Sequence, residues 1–154
     1  MRRYLVVANQ TLQAPELREE LRKRISAGPC SFFVIVPATS AARYDAVAAG
    51  GVLPQPGLWW WAARPVTDEE AAAQARERLD RMLADLASMG ALAQGDTGSS
   101  SPLEAAAEAC AGRQFDEIIV TTLPARVSRW LRADLPHQLE RRFKLPVTTI
   151  ITHF

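Results

Sequence analysis

The chain has few of the residues that build metal centres and disulfide frameworks, with two cysteines and two histidines in 154 residues. Cys30 and Cys110 lie far apart in sequence and form no ligand-spaced pair with either histidine, so no metal site is expected. We interpret both cysteines as reduced, buried, small apolar residues, which is typical of a cytosolic protein.

An excess of charge of one sign is also missing, because 18 Lys and Arg residues stand against 17 Asp and Glu residues. The formal net charge of +1 implies no overall attraction to nucleic acid or to acidic membranes. The apolar run at residues 4–8 is too short for a signal peptide or a membrane span. We therefore expect a cytoplasmic protein with no nucleic-acid partner and no membrane partner.

The familiar catalytic motifs are absent as well, since the sequence shows no Walker motif, zinc-ligand spacing or carboxylate dyad. Ser128 lacks the Gly-x-Ser-x-Gly turn of an esterase nucleophile. For His137 we expect a contact with Asp134, one turn earlier, or a solvent-facing ring. No catalytic residue is predicted, and an enzymatic activity stays open but unsupported.

What the sequence does contain is an alternation of strand and helix patterns along one domain, residues 1–154. Strands are predicted at residues 4–8, 32–36, 91–94, 118–120 and 147–151. Helices are predicted at residues 15–27, 67–89, 101–111 and 128–145, the last one restarting at Asp134. This order predicts an α/β fold with three layers and a Rossmann-like open parallel sheet.

Local signals define the ends of these elements. Ser101 and Glu104 form a capping box with Pro102 at the first helical position, and Thr67 opens the preceding helix in the same way. The apolar stripe of the third helix is predicted to be Leu103, Ala106, Ala107 and Cys110. Residues 95–100 are predicted to be a flexible loop, and residues 121–126 a turn after the fourth strand.

An irregular insert at about residues 38–66 interrupts the alternation, because its glycines and prolines oppose long regular elements. It contains Trp59, Trp60 and Trp61 in succession. Two interpretations remain open for them: they cover an edge of the fold, or they form a docking patch for a protein partner.

The order of motifs resembles the universal stress protein family, within the adenine-nucleotide-binding Rossmann-like folds. Residues 4–11 are similar to the first strand of that family. Gly95-Asp96 and residues 102–105 are similar to its Gly-Asp-Pro loop and helix start, with five extra residues between them. Residues 115–120 and 127–150 are similar to its fourth strand, last helix and closing strand. The resemblance implies five parallel strands in the order 3-2-1-4-5, helices on both faces, and a homodimer.

The resemblance also locates a nucleotide site and shows that it is degenerate. ATP-binding members carry glycines after the fourth strand that let backbone N–H groups approach the phosphates. Thr121 and Pro124 stand at the first two of these positions, and Ala133-Asp134 replace the closing glycine and hydroxyl residue. Pro124 removes a donor, and the Asp134 carboxylate repels an anion. ATP binding in the usual way is therefore doubtful, and the cofactor is unknown.

Cationic residues remain near this site, since residues 123–146 carry six Lys and Arg against two acidic residues. Arg126 and Arg129 are three residues apart and share a face if the segment is helical. They either clamp a small anionic ligand or belong to a solvated surface with intramolecular ion pairs. The candidate residues for a nucleotide or anion site are Asn9, Thr11, Val36, Thr121, Pro124, Arg126 and Arg129.

Three hypotheses about function follow. The first is a non-catalytic, regulatory or stress-linked protein similar to universal stress proteins, with a degenerate nucleotide site. The second is a protein that binds a nucleotide or phosphorylated small molecule through the arginines, and the third is an interaction module that uses Trp59–Trp61. In each case we expect a homodimer through the strand at residues 147–151, since an open apolar strand edge attracts a second copy.

Overall fold

A computed structural model describes residues 1–8, 11–37, 68–99, 101–122 and 134–152. The strands are β1 (Arg2–Val7), β2 (Cys30–Pro37), β3 (Leu92–Gly98), β4 (Glu117–Thr122) and β5 (Val147–Ile151). The helices in these ranges are α1 (Pro15–Ala27), α2 (Asp68–Ser88), α3 (Pro102–Cys110) and α4 (Leu135–Phe143). The strands pair in parallel in the order β3-β2-β1-β4-β5, so the predicted α/β class and the order 3-2-1-4-5 are confirmed.

The core lies on both faces of the sheet, because side chains alternate along each buried strand. On one face Tyr4, Val6 and Ile119 pack with α1 and α2, where Leu17, Leu21, Leu79 and Met82 are buried. On the other face Leu5, Val7 and Ile118 pack with α3 and α4. β1 is therefore central and covered on both sides, as its continuous apolar run predicts.

The helices begin at the predicted signals. Pro15 opens α1, and the Ser101 hydroxyl accepts a hydrogen bond from the Glu104 N–H at 3.5 Å before Pro102 starts α3. Pro136 lies in the first turn of α4, where its missing N–H costs nothing. The buried stripe of α3 differs from the prediction: Ala105, Ala106 and Ala109 face the sheet, while Leu103 and Cys110 pack at its margins.

Two predicted loop segments are strand instead. β3 continues through Gly95, Asp96 and Thr97 to Gly98, so the prediction of a flexible loop from residue 95 was wrong for these positions. A Cβ on Gly95 would lie 2.5 Å from the Val34 carbonyl oxygen, so the glycine is there to let β2 and β3 approach closely. Thr121 likewise belongs to β4 and not to the turn, because it pairs with Ile150 of β5.

Several predictions fall outside the described residues. They concern the insert at residues 38–66 with its three tryptophans, the cap at Thr67 and the start of the last helix at residue 128. Within the described ranges, no helix combines the length and the apolar character that crossing a membrane requires.

Candidate functional site

The topology of the sheet identifies one of its ends as the first candidate site. The chain moves from β1 to β2 on one side, whereas β4 pairs with β1 on the other side. The order of the strands therefore reverses between β1 and β4, and ligands of open parallel sheets bind beyond the carboxyl ends of strands at such a point.

Thr11 and Thr121 meet at this point. The Thr11 hydroxyl donates a hydrogen bond to the Thr121 carbonyl oxygen at 3.0 Å, which ties the turn after β1 to the end of β4. Both residues are buried, at 5% and 0% exposure. The Thr121 Oγ1 atom is buried and makes no hydrogen bond to any part of the chain that the structure describes. Two predicted site residues are thus neighbours, but their hydroxyls are enclosed.

The other predicted site residues contribute less to the described geometry. Val36 is the second-last residue of β2 and pairs with Thr97 of β3, and its fully buried side chain packs in the core with α1 and α2. It offers no side-chain contact to a ligand. Asn9, Pro124, Arg126 and Arg129 lie outside the described residues, so their part in a site stays a prediction.

Asp134 is the N-cap residue of α4, as the predicted restart of the helix indicates, but its side chain makes no capping hydrogen bond. The residue adopts a left-handed conformation, with φ 58° and ψ 39°, which aspartate tolerates better than most residues. Its Oδ1 atom lies 2.7 Å from Nδ1 of His137 instead, so the predicted contact between the two is confirmed. Both side chains are exposed. A carboxylate therefore stands at the amino end of α4, where a phosphate would otherwise be favoured.

Backbone N–H donors at the start of α3, beside the carboxyl end of β3, also make hydrogen bonds within the chain. The Ser99 N–H donates to a Glu108 carboxylate oxygen at 3.1 Å. The Glu104 N–H donates to Ser101, and the Ala105 N–H donates to the Ser101 carbonyl oxygen at 2.8 Å. These amides are satisfied within the chain, and two of the neighbouring side chains are carboxylates.

Sequence reasoning missed an ion-pair network at the opposite, amino end of the sheet. Arg24 of α1 lies 2.7 Å from Glu117 of β4 and 2.9 Å from Glu20, and Thr148 donates to Glu117 at 2.6 Å. Burial alone would lower the pKa of the Arg24 guanidinium, but the hydrogen bond and charge of Glu117 raise it above its ordinary value. Glu117 carried no signal of this role, because an acidic residue before a strand is ordinarily solvated.

The two cysteines are free thiols, Cys30 buried and Cys110 half-buried. Burial raises the pKa of both thiols, although the charge of Arg24 opposes this at Cys30. Thiolates are the reactive form of cysteine, so neither residue has the character of a nucleophile. The described ranges hold no group of three or more potential metal ligands.

Comparison with solved structures decides the fold. A universal stress protein from Arabidopsis thaliana, whose structure was solved with AMP bound, superimposes with a TM-score of 0.58. The match covers 99% of this chain and 93% of that one, at 10% sequence identity. The chain has a universal-stress-protein fold. A universal stress protein from Archaeoglobus fulgidus gives a TM-score of 0.59 at 13% identity, covering 97% of this chain and 93% of that one.

At these identities the likeness concerns the universal-stress-protein fold alone. No family model matches the sequence, and no curated protein matches it. The turn after β4 begins beyond Thr122 and lies outside the described part of the chain, so the glycine positions compared in the sequence analysis stay a prediction.

Proposed function

We propose that this chain is a non-catalytic, regulatory protein of the cytosol, linked to stress responses, whose degenerate nucleotide site does not take ATP in the usual way. The observation that carries the proposal is the pair Thr11 and Thr121. The Thr11 hydroxyl uses its donor on the Thr121 carbonyl oxygen, and the Thr121 side chain is fully buried. The Thr11 hydroxyl is therefore not available to donate to a phosphate at this edge of the sheet.

Charge supports the same proposal. The exposed carboxylate of Asp134 stands before α4, and the Glu108 carboxylate accepts a hydrogen bond from the Ser99 N–H just before α3. A triphosphate between these helices would meet negative charge where helix amino ends ordinarily supply positive potential.

A second candidate is a protein that binds a small anion, with Arg126 and Arg129 as a clamp. One observation favours it: the Thr121 hydroxyl at the same edge is buried without a hydrogen-bond partner among the described residues. A buried hydroxyl without a partner costs about 1–3 kcal/mol, so a ligand that supplied one would gain affinity.

Calorimetric titration separates these candidates. We expect no binding of ATP with magnesium in the micromolar range, and none of AMP, which was bound in the Arabidopsis structure. A micromolar dissociation constant for either nucleotide would contradict the first candidate. If a phosphorylated metabolite binds, Arg129→Ala should weaken it by about 1.5–3 kcal/mol, the range for hydrogen bonds to charged groups. Arg22→Ala on α1, an exposed arginine paired with Glu19, is the matched control.

We also propose that two copies pair through β5. This strand forms one edge of the sheet, and Ile151 is 41% exposed there. An open, apolar strand edge is a template for pairing with another chain, and a two-fold axis satisfies both copies at once.

The dimer is tested with Ile151→Lys, measured by sedimentation velocity against the parent chain. We expect the parent to be dimeric and the variant to be monomeric, because a charge in the seam must be desolvated. Ile150 is a poorer choice, since it packs against the core and a charge there would unfold the chain as well. Leu92→Lys, an exposed leucine on the opposite edge strand, should leave the dimer intact. A monomeric parent, or a dimeric Ile151→Lys variant, rules the interface out.

A further inference from the structure

A cavity of about 690 Å³ opens at the amino edge of the sheet, at the opposite end from the site described above. We call it the amino-edge cleft and define it by Arg3, Phe33, Leu92, Gln94, Arg113 and Phe115. These residues come from the starts of β1, β2 and β3 and from the segment that leads into β4. The volume lies within the range of about 300–1,000 Å³ that is typical of small-molecule sites.

The cleft exists because α3 is too short to cover the sheet beneath it. The helix has 9 residues and spans about 14 Å, whereas the 7 residues of β3 span about 23 Å. Its start packs against the carboxyl end of β3, where Gly98 lies against Ala105. On this face the segment at residues 111–116, and not α3, lies beside the amino ends of β2 and β3.

The floor of the amino-edge cleft is apolar and aromatic. The rings of Phe33 and Phe115 lie 6.3 Å apart at an angle of 53°. Leu92 at the rim is 63% exposed, one of the few large apolar side chains in the described ranges that faces solvent. Phe33 is already buried, whereas Phe115 is half-buried. A flat apolar ligand would bury Phe115 and Leu92 further, which stabilises binding in proportion to the apolar area covered.

The walls of the cleft are cationic. The guanidinium carbon of Arg113 lies 4.1 Å from the centre of the Phe33 ring, and one of its nitrogens donates to the Ala109 carbonyl oxygen at 3.3 Å. The other donors of this guanidinium make no hydrogen bond or ion pair within the described part of the chain. Arg3 forms hydrogen bonds through its backbone N–H and carbonyl oxygen. Its side chain makes no ion pair or hydrogen bond within the described part of the chain.

No Asp or Glu is among the described residues that line the cleft. The adjacent Asp116 accepts a hydrogen bond from the Arg3 backbone N–H at 2.8 Å, so it helps to hold β1 beside the segment before β4. The cleft therefore combines two guanidinium groups, two aromatic rings and the exposed amide of Gln94.

We propose that the amino-edge cleft binds a small planar aromatic anion of the aryl carboxylate class. The carboxylate pairs with Arg3 and with the free donors of Arg113, since guanidinium groups bind carboxylates through two parallel hydrogen bonds. The ring of the ligand lies against Phe115 and Leu92, beside the Phe33 ring over which Arg113 already lies. This site is separate from the nucleotide site proposed above and does not depend on it.

The experiment is a titration of the full, ¹⁵N-labelled chain with 2-naphthoate, followed by the shifts of its backbone amides. We expect the shifts to concentrate at residues 31–33, 92–94 and 113–115, with a dissociation constant of about 1 mM or lower for a ligand of this size. The neutral isostere 2-naphthalenemethanol should bind at least about tenfold more weakly, because it offers the guanidinium groups no charge.

Three variants complete the test. Arg3→Gln should weaken 2-naphthoate at least about tenfold, because it removes a charge-assisted hydrogen bond. Gln94→Glu should weaken the binding of 2-naphthoate by a similar factor, because the substitution places a carboxylate in the cleft. Arg81→Gln, on an exposed α2 arginine paired with Glu77 at 2.7 Å, should bind like the parent.

The proposal is overturned by any of three results. One is no shift at about 10 mM 2-naphthoate, roughly ten times the expected dissociation constant. Another is equal binding of the acid and the alcohol, and the third is parent-like binding by both Arg3→Gln and Gln94→Glu. Shifts confined to the carboxyl ends of β1 and β4 count against it too, since they place the ligand at the other site.

Discussion

Glu117→Gln is expected to lower the free energy of unfolding by about 3 kcal/mol, the low end of the range for removing one partner of a buried ion pair. Glu117 is 8% exposed and lies 2.7 Å from Arg24, which links α1 to β4. Without the Glu117 carboxylate, the one carboxylate that still pairs with the Arg24 guanidinium among the described residues is that of the more exposed Glu20. The cost comes from this uncompensated charge, because Arg24 cannot lose its proton at neutral pH.

Urea denaturation measures this effect, with an unchanged slope showing that the unfolded state is the same. Glu19→Gln is the matched control: Glu19 pairs with Arg22 at 3.5 Å, but both side chains are about 60% exposed, and exposed pairs contribute little. The double variant Arg24→Met with Glu117→Leu should recover much of the loss, since apolar replacements of a buried pair are often neutral. A loss below about 1 kcal/mol for Glu117→Gln would contradict the importance of the network.

Gly95→Ala in β3 is expected to destabilise the chain by about 1–3 kcal/mol, although alanine replacing glycine often stabilises. The added Cβ would lie 2.5 Å from the Val34 carbonyl oxygen and 2.6 Å from Leu79 Cδ1. The leucine side chain can rotate away, but the carbonyl belongs to the backbone of β2, so the two strands must separate. This strain outweighs the gain of about 0.4–1 kcal/mol from a stiffer unfolded chain.

The same denaturation experiment tests this prediction. Gln94→Ala, at the exposed neighbouring position of β3, should change the free energy of unfolding by less than about 0.5 kcal/mol. Gly95 has no positive φ, so conformational strain does not enter the comparison. A Gly95→Ala variant as stable as the parent would mean that β2 and β3 separate without cost.

Much of the fold was predictable from local patterns. The central strand β1 is a run of apolar residues, the start of α3 is a capping box, and Pro136 stands in the first turn of α4. The strand order came from the resemblance to universal stress proteins, and the structure confirms it. The wrong assignments lie where a local turn signal competed with strand pairing. Gly95 and Thr121 were predicted to lie outside strands, but both belong to strands because they pair with residues of the neighbouring strand.

The candidate site was predictable only in its location. Reversal of strand order between β1 and β4 indicates an edge where Thr11 and Thr121 meet, and the structure brings them within a hydrogen bond. That both residues are buried depends on the packing of separate elements, which spacing in the sequence does not reveal. The amino-edge cleft was missed for a similar reason: Arg3 and Arg113 are 110 positions apart and become neighbours only because the amino ends of parallel strands meet.

The sequence by itself determined the α/β class and the places where most helices begin, because each depends on residues within one turn or one strand. The tertiary structure alone decided that Glu117 is buried against Arg24, that Gly95 lies against Val34 and that two arginines share a cleft with two phenylalanines. These contacts join residues from separate elements. Their distances depend on strand register and on the length of α3 relative to the sheet, which no local pattern specifies.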